Sequence, residues 1–178
     1  MPETVKIKDK GFSLSIKADE IRKAIDEIAS RITHDFSGLN PLFVVVLNGS
    51  FMFASDLFKK VNIPCEISFV KASSYLGTTT TGEVKTIFGL NEDIEGRNVV
   101  IIEDIVDTGR TIKNLVENLK PMKPADIKIC TLLFKPEAYI MDIKIDYIGI
   151  KIPNDFIVGF GLDYDGYGRN FADIYKIL

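Results

Sequence analysis

The chain has 178 residues, which suits one domain spanning 1–178 with a single sizeable core. Its hydrophobic fraction of 46%, charged fraction of 26% and net charge of −3 are ordinary for a soluble globular protein. They argue against a protein whose main partner is nucleic acid or an anionic membrane. No apolar run approaches the ~20 residues that span a bilayer. The charged stretch Met1 to Lys10 lacks the apolar segment of a secretory signal, so the expected location is cytoplasmic.

In chain order, Ile21, Ile25, Ile28 and Ile32 recur at helical spacing and predict an amphipathic helix from about Ala18 to His34. His34, the single histidine, falls at the polar end of that helix and reads as a surface residue. Leu42 to Leu47 is continuously apolar and β-branched, as expected of a parallel strand covered on both faces. It breaks at Asn48-Gly49-Ser50, and a second helix pattern runs from Phe51 to Phe58. Cys65 to Lys71 alternates as a strand. Ala72 to Glu83 is a long polar loop of Ser, Thr and Gly, and loops of that length in compact domains are usually functional or disordered. A short strand is expected at Val84 to Phe88, then a buried strand at Asn98 to Ile102, an acidic turn, and a helix from Thr111 to Leu119. Further strands are predicted at Ile127 to Phe134, Tyr147 to Ile150 and Phe156 to Phe160. Cys65 and Cys130 sit in apolar runs and read as buried thiols rather than a disulfide or metal pair. Strands alternating with helices imply an α/β fold with a mainly parallel sheet, and ligands at the carboxyl ends of its strands.

The most informative segment is Val99 to Thr111, where an apolar strand delivers Glu103, Asp104 and Asp107 into the turn Thr108-Gly109-Arg110-Thr111. Gly109 can adopt positive φ, so that successive N–H groups converge on one point. With the Thr108 and Thr111 hydroxyls and a helix N-terminus behind, that point suits a phosphate. Glu103 and Asp104 are adjacent, so strand alternation aims them apart, and they suit two ribose hydroxyls better than one ion held by both. Asp107 stands where a base joined to that sugar would lie. Helix capping accounts for Asp107 or Thr108 singly. It does not account for three acids pressed against an apolar strand, where they repel one another without a ligand or cation.

This segment resembles the phosphoribosyl pyrophosphate-binding signature of type I phosphoribosyltransferases. Further stretches from about Gly11 to Leu178 are similar to hypoxanthine-guanine phosphoribosyltransferases. The resemblance implies a central, mainly parallel sheet flanked by helices, with a small base-binding hood from the chain ends. It implies transfer of 5-phosphoribosyl from phosphoribosyl pyrophosphate to hypoxanthine or guanine, with Mg2+, in a homodimer or homotetramer. Leu47, Asn48 and Gly49 match the strand end that binds pyrophosphate through backbone N–H groups, often with a cis bond after the leucine. Many relatives carry lysine or arginine where this chain has Asn48. Ser74 and Tyr75 match the lid dipeptide over the reaction centre, and Arg169 a fork to the departing pyrophosphate.

Lys135 would donate to the 6-oxygen of the base and reject the 6-amino group of adenine. Phe156 would stack on the purine, the Ile157 carbonyl would meet the base edge, and Asp163 would help hold magnesium. Whether Glu103 and Asp104 also meet the metal, or only the ribose hydroxyls, stays open at this point. Alone, Lys135 ahead of Pro136 is a turn lysine, Phe156 a core aromatic, and Asp163 with Arg169 a surface ion pair. Their order behind the phosphate signature favours the functional reading. A xanthine-preferring enzyme and a non-catalytic sensor of phosphoribosyl pyrophosphate are the alternatives. The net acidic charge and the presence of Asp107 weigh against the sensor.

Overall fold

A twisted sheet of six strands, β3 to β8, forms the centre of the computed structural model, which describes residues 2–72 and 87–178. The strands are β3 (Leu42–Leu47), β4 (Glu66–Ala72), β5 (Ile87–Phe88), β6 (Asn98–Val106), β7 (Asp126–Phe134) and β8 (Tyr147–Lys151). Their order across the sheet is β5-β4-β3-β6-β7-β8, and every neighbouring pair is parallel except β4 with β5.

Alternation along the two central strands divides the core. Phe43, Val45, Val100 and Ile102 face helices α1 (Ala18–Asp35) and α2 (Phe51–Phe58). Leu42, Val44, Val99 and Ile101 face helix α3 (Arg110–Leu119), through its Ile112, Leu115, Val116 and Leu119. Because both faces are covered, these strands read as unbroken apolar runs. Ile21, Ile25, Ile28 and Ile32 of α1 are buried as their spacing requires, and His34 is exposed.

A second, antiparallel sheet joins the two ends of the chain. It contains β1 (Thr4–Ile7), β2 (Lys10–Ile16), β9 (Ile157–Val158) and β10 (Ile174–Ile177), in the order β1-β2-β10-β9. Its own core is Ile7, Phe12, Val158 and Tyr175. This is the hood, built over the carboxyl end of the main sheet.

Three expectations are corrected in detail. β6 does not end at Ile102. It runs on to Val106 because β7 pairs with it along its length, Glu103 opposite Thr131 and Val106 opposite Phe134, so the acid pair lies on a strand and not in a turn. β9 is only Ile157–Val158, since Gly159, Phe160 and Gly161 all take positive φ and break the ladder. The strands β1, β2 and β10 were not anticipated one by one. Cys65 and Cys130 are free thiols, with Cys130 buried and Cys65 partly so. Among the described residues, no helix is long and apolar enough to cross a membrane.

The hood is tied to the body of the molecule at the start of α1. Lys17 at that N-cap makes no side-chain cap, and the buried Asp173 serves instead, its Oδ1 accepting a hydrogen bond from Ala18 N at 2.7 Å. A carboxylate there meets both an orphan N–H and the positive end of the helix dipole. Asp173→Ala should therefore lower stability by about 1–2 kcal/mol. The check is a lower urea midpoint with an unchanged slope.

Candidate active site

The carboxyl ends of β3 and β6 meet the hood at one place. Asp104, at the end of β6, donates its backbone N–H to Ser50 Oγ at 3.0 Å, and Ser50 is fully buried. The Asp104 carboxylate fills the space that a side chain on Gly49 would occupy. The carbonyl of Gly49 in turn fills the space beside Gly161, whose φ of +100° already favours glycine. Gly161 O accepts a bond from Arg169 Nη1 at 2.6 Å, and Arg169 Nη2 pairs with Asp163 Oδ1 at 2.6 Å. Asp163 Oδ2 also accepts from Gly166 N at 2.6 Å. Asp104, Gly49, Asp163 and Arg169 are thus brought together by two close approaches at glycines, one to the Asp104 side chain and one to the Gly49 carbonyl. The Leu47–Asn48 peptide is cis, and Asn48 itself is exposed.

Burial sets the charge state of the acid pair. Glu103 and Asp104 project to opposite faces of β6, and both are less than a tenth exposed. Burial pushes the Asp104 carboxyl up to about 6; hydrogen bonds from the Ile105 and Asp104 N–H groups and the Arg169 charge oppose the rise, and the Asp163 charge adds to it. Burial, reinforced by the charge on Asp104, lifts Glu103 well above the usual carboxylate range. Glu103 Oε2 has no hydrogen-bond partner among the described residues. The two acids are thus buried to nearly the same extent on opposite faces of β6.

The turn after β6 follows the sequence reading closely. Gly109 has φ +83° and ψ 3° and is the N-cap of α3, with no side-chain cap present. Neither Asp107 nor Thr108 is spent on capping. Arg110 and Thr111 open the helix and are exposed. Just before the turn, Lys135 Nζ donates to Asp107 Oδ2 at 3.1 Å, and the lysine side chain is only 9% exposed while the aspartate is 46% exposed. Lys135 N is itself held by Val106 O at 3.0 Å.

The Phe156 ring is 46% exposed. It is buttressed by Tyr164, edge to face at 6.0 Å, and by Phe12 at 6.4 Å. The Tyr164 hydroxyl donates to Asp9 Oδ1 at 3.0 Å, and Lys8 pairs with Asp165, so the β1–β2 hairpin clamps the loop that carries Asp163. Ile157 lies in β9 with its side chain buried. Ser74 and Tyr75 lie outside the described residues. Sequence reasoning missed Asp173, Gly161 and the Ser50 side chain. Only the Gly-Phe-Gly triplet at 159–161 carried a local signal of unusual backbone.

The Phosphoribosyl transferase domain family matches residues 15–165. The chain belongs to this family. Within it, hypoxanthine-guanine phosphoribosyltransferase of Streptococcus agalactiae serotype V is 48% identical over 145 residues, 81% of each chain. The enzyme of that name from Streptococcus mutans is 46% identical over 153 residues, 85% of each chain. The bifunctional protein TilS/HprT of Listeria monocytogenes serotype 4b is 45% identical over 160 residues, and the chain spans about a quarter (25%) of its length. Among solved structures, a hypoxanthine-guanine phosphoribosyltransferase from Bacillus anthracis superposes with a TM-score of 0.83 at 37% identity, covering 93% of this chain and 96% of that one. The fold is accordingly the type I phosphoribosyltransferase fold, with its parallel core and hood.

Two predictions follow from the acid pair. In Gly49→Ala the new methyl runs into the buried Asp104 carboxylate, whose Oδ1 is held by Ile105 N at 2.9 Å, so activity should fall by at least about tenfold and stability by about 1–3 kcal/mol. Paired kinetic and urea measurements check this, and a variant with parental activity and stability would contradict it. Glu103→Met replaces an unpartnered buried carboxyl with an apolar chain of similar reach, and should raise stability by about 1–3 kcal/mol. An unchanged or lower urea midpoint would mean that the carboxyl has a partner in solution.

Proposed function

We propose that this chain transfers the 5-phosphoribosyl group of phosphoribosyl pyrophosphate to hypoxanthine or guanine, releasing pyrophosphate. The observation that carries the reading is the pair Lys135–Asp107, held directly before the Gly109 turn. A 6-oxo purine needs a donor at its 6-oxygen and an acceptor at nitrogen 7, and the two side chains supply one each.

In this reading the N–H groups around Gly109 and the Thr108 and Thr111 hydroxyls hold the 5′-phosphate at the start of α3. Asp104 meets the ribose hydroxyls, and the backbone of Leu47, Asn48 and Gly49 holds the pyrophosphate. Nitrogen 9 of the base attacks the anomeric carbon as its bond to the pyrophosphate oxygen breaks. Asp107 accepts the proton on nitrogen 7, or holds it there by a hydrogen bond, and Lys135 steadies the charge on oxygen 6. Phe156 offers the purine an apolar face. Arg169 holds Gly161 O and Asp163 with one N–H from each terminal nitrogen, and its remaining donors would serve the pyrophosphate. Ser74 and Tyr75 complete the reading as the lid that keeps water from the same cationic centre.

Magnesium fits this residue set in one way. No group of three ligating side chains suited to a metal exists among the described residues. Magnesium commonly takes one or two carboxylates together with substrate phosphates and water. Asp163 and Asp104 would hold it, and when bound it would offset negative charge on the pyrophosphate. A cytoplasmic location suits the two free thiols. A homodimer or homotetramer belongs to the same reading, and light scattering decides it.

The test is to supply phosphoribosyl pyrophosphate, magnesium and each purine in turn and follow nucleotide and pyrophosphate. Inosine and guanosine monophosphate are expected, with adenine turned over at least about a hundredfold more slowly because Lys135 has no acceptor for a 6-amino group. Faster turnover of xanthine or adenine would overturn the base assignment. Binding of phosphoribosyl pyrophosphate without turnover of any purine would favour a sensor.

A further inference from the structure

The segment between Lys135 and the start of β8 touches the phosphate turn in a way that the reaction as described does not use. Its backbone is tied to the turn twice. Lys135 N donates to Val106 O at 3.0 Å, and Ile140 N donates to Thr108 O at 3.3 Å. Between these ties the ring of Tyr139 lies edge-on against Gly109. A side chain at Gly109 would run into Tyr139 Cε2, and would also meet Met141 Cγ at 2.9 Å.

The ring is itself fixed from two other directions. It packs edge to face on Phe134 at 5.3 Å and 71°, and its hydroxyl donates to Ile143 O at 2.6 Å. Gly109 needs such a wall. It has φ +83°, caps α3 without any side-chain bond, and as glycine can leave that conformation at small cost. A turn that binds phosphate by converging N–H groups loses affinity when its backbone wanders, because the ordering must then be met on binding.

We propose that Tyr139, with Met141 beside it, is a positioning residue that preorganises the Gly109 turn for the 5′-phosphate. This inference rests on the proposed function and adds to it a determinant of affinity for one substrate only. Tyr139 touches neither reacting atom, and Lys135 keeps its own bond to Val106 O whether or not the ring is present. The effect should therefore fall on phosphoribosyl pyrophosphate and not on the purine.

Steady-state kinetics on the full chain with phosphoribosyl pyrophosphate and hypoxanthine test it. Tyr139→Leu should raise KM for phosphoribosyl pyrophosphate about tenfold, with kcat and KM for hypoxanthine within about twofold. Tyr139→Phe keeps the ring on Gly109 and should restore KM to within about threefold of the parent. Met141→Ala, at a half-exposed position, should raise the same KM in the same direction and carries the test if Tyr139→Leu does not fold. Thr111→Ala is the reference, because it removes a hydroxyl that the proposed function assigns to the phosphate. If Thr111→Ala raises KM for phosphoribosyl pyrophosphate and the Tyr139 and Met141 variants do not, the positioning role is wrong. If none of them changes it, the phosphate turn itself is misassigned and the inference falls with it. Equal rises in both substrate KM values would mark Tyr139 as a general structural residue and also overturn the proposal.

Discussion

The Asp104 carboxylate rests directly against the backbone of Gly49, and Ser50 Oγ receives the Asp104 N–H. Through these contacts the end of β6 locks to the end of β3. The Gly49 carbonyl then meets Gly161, and Arg169 fastens Gly161 to Asp163, so one line of close approaches runs from the central sheet into the hood. Side chains at either glycine would wedge this line open. The parallel sheet supplies the reason for its place. With both faces of β3 and β6 covered by helices, the polar groups gather at the strands' carboxyl ends.

Charge at the site is balanced internally. Lys135 is paired with Asp107 and Arg169 with Asp163, so the ligand-free molecule leaves none of these four side chains alone. A partly buried charge without a partner is costly, whereas an exchange of partners is nearly neutral. A ligand that offers both an acceptor and a donor can replace such a pair with little loss. Glu103 is treated differently, since burial disfavours its charged form and no partner relieves it. Its presence at the centre of β6 costs stability that an apolar residue would not. Such a cost is commonly found where a site has been shaped for binding and not for the resting fold.

Much of this was legible in the residues. Leu42 to Leu47 and the isoleucines of α1 announce their elements because buried parallel strands and amphipathic helices impose simple periodicities. The turn at Gly109 was legible because its signal is local, with a glycine, hydroxyls and a helix start within five residues. The extent of β6 was not, because two charges interrupt its apolar run and only pairing with β7 carries it to Val106. Val5 and Ile7, then Phe12, Leu14 and Ile16, alternate as hood strands should, and that signal was present in the sequence. The meeting of Gly49 with Gly161, or of Tyr139 with Gly109, has no local signature. Such contacts join positions that are distant along the chain, and only the assembled register reveals them.

The hood has a consequence for how the molecule assembles. Its sheet pairs β2 with β10, placing Phe12 opposite Ile177, while β3, β6 and β7 lie between them in the chain and pair with neither. Pairings of such wide sequence separation carry the largest loop-closure entropy, and are favourable once the intervening chain is already compact. The Gly109 turn, nested between consecutive elements β6 and α3, can therefore take shape while the hood is still absent. Under the proposed function, such a chain would have a site for the sugar phosphate early in folding and none for the base.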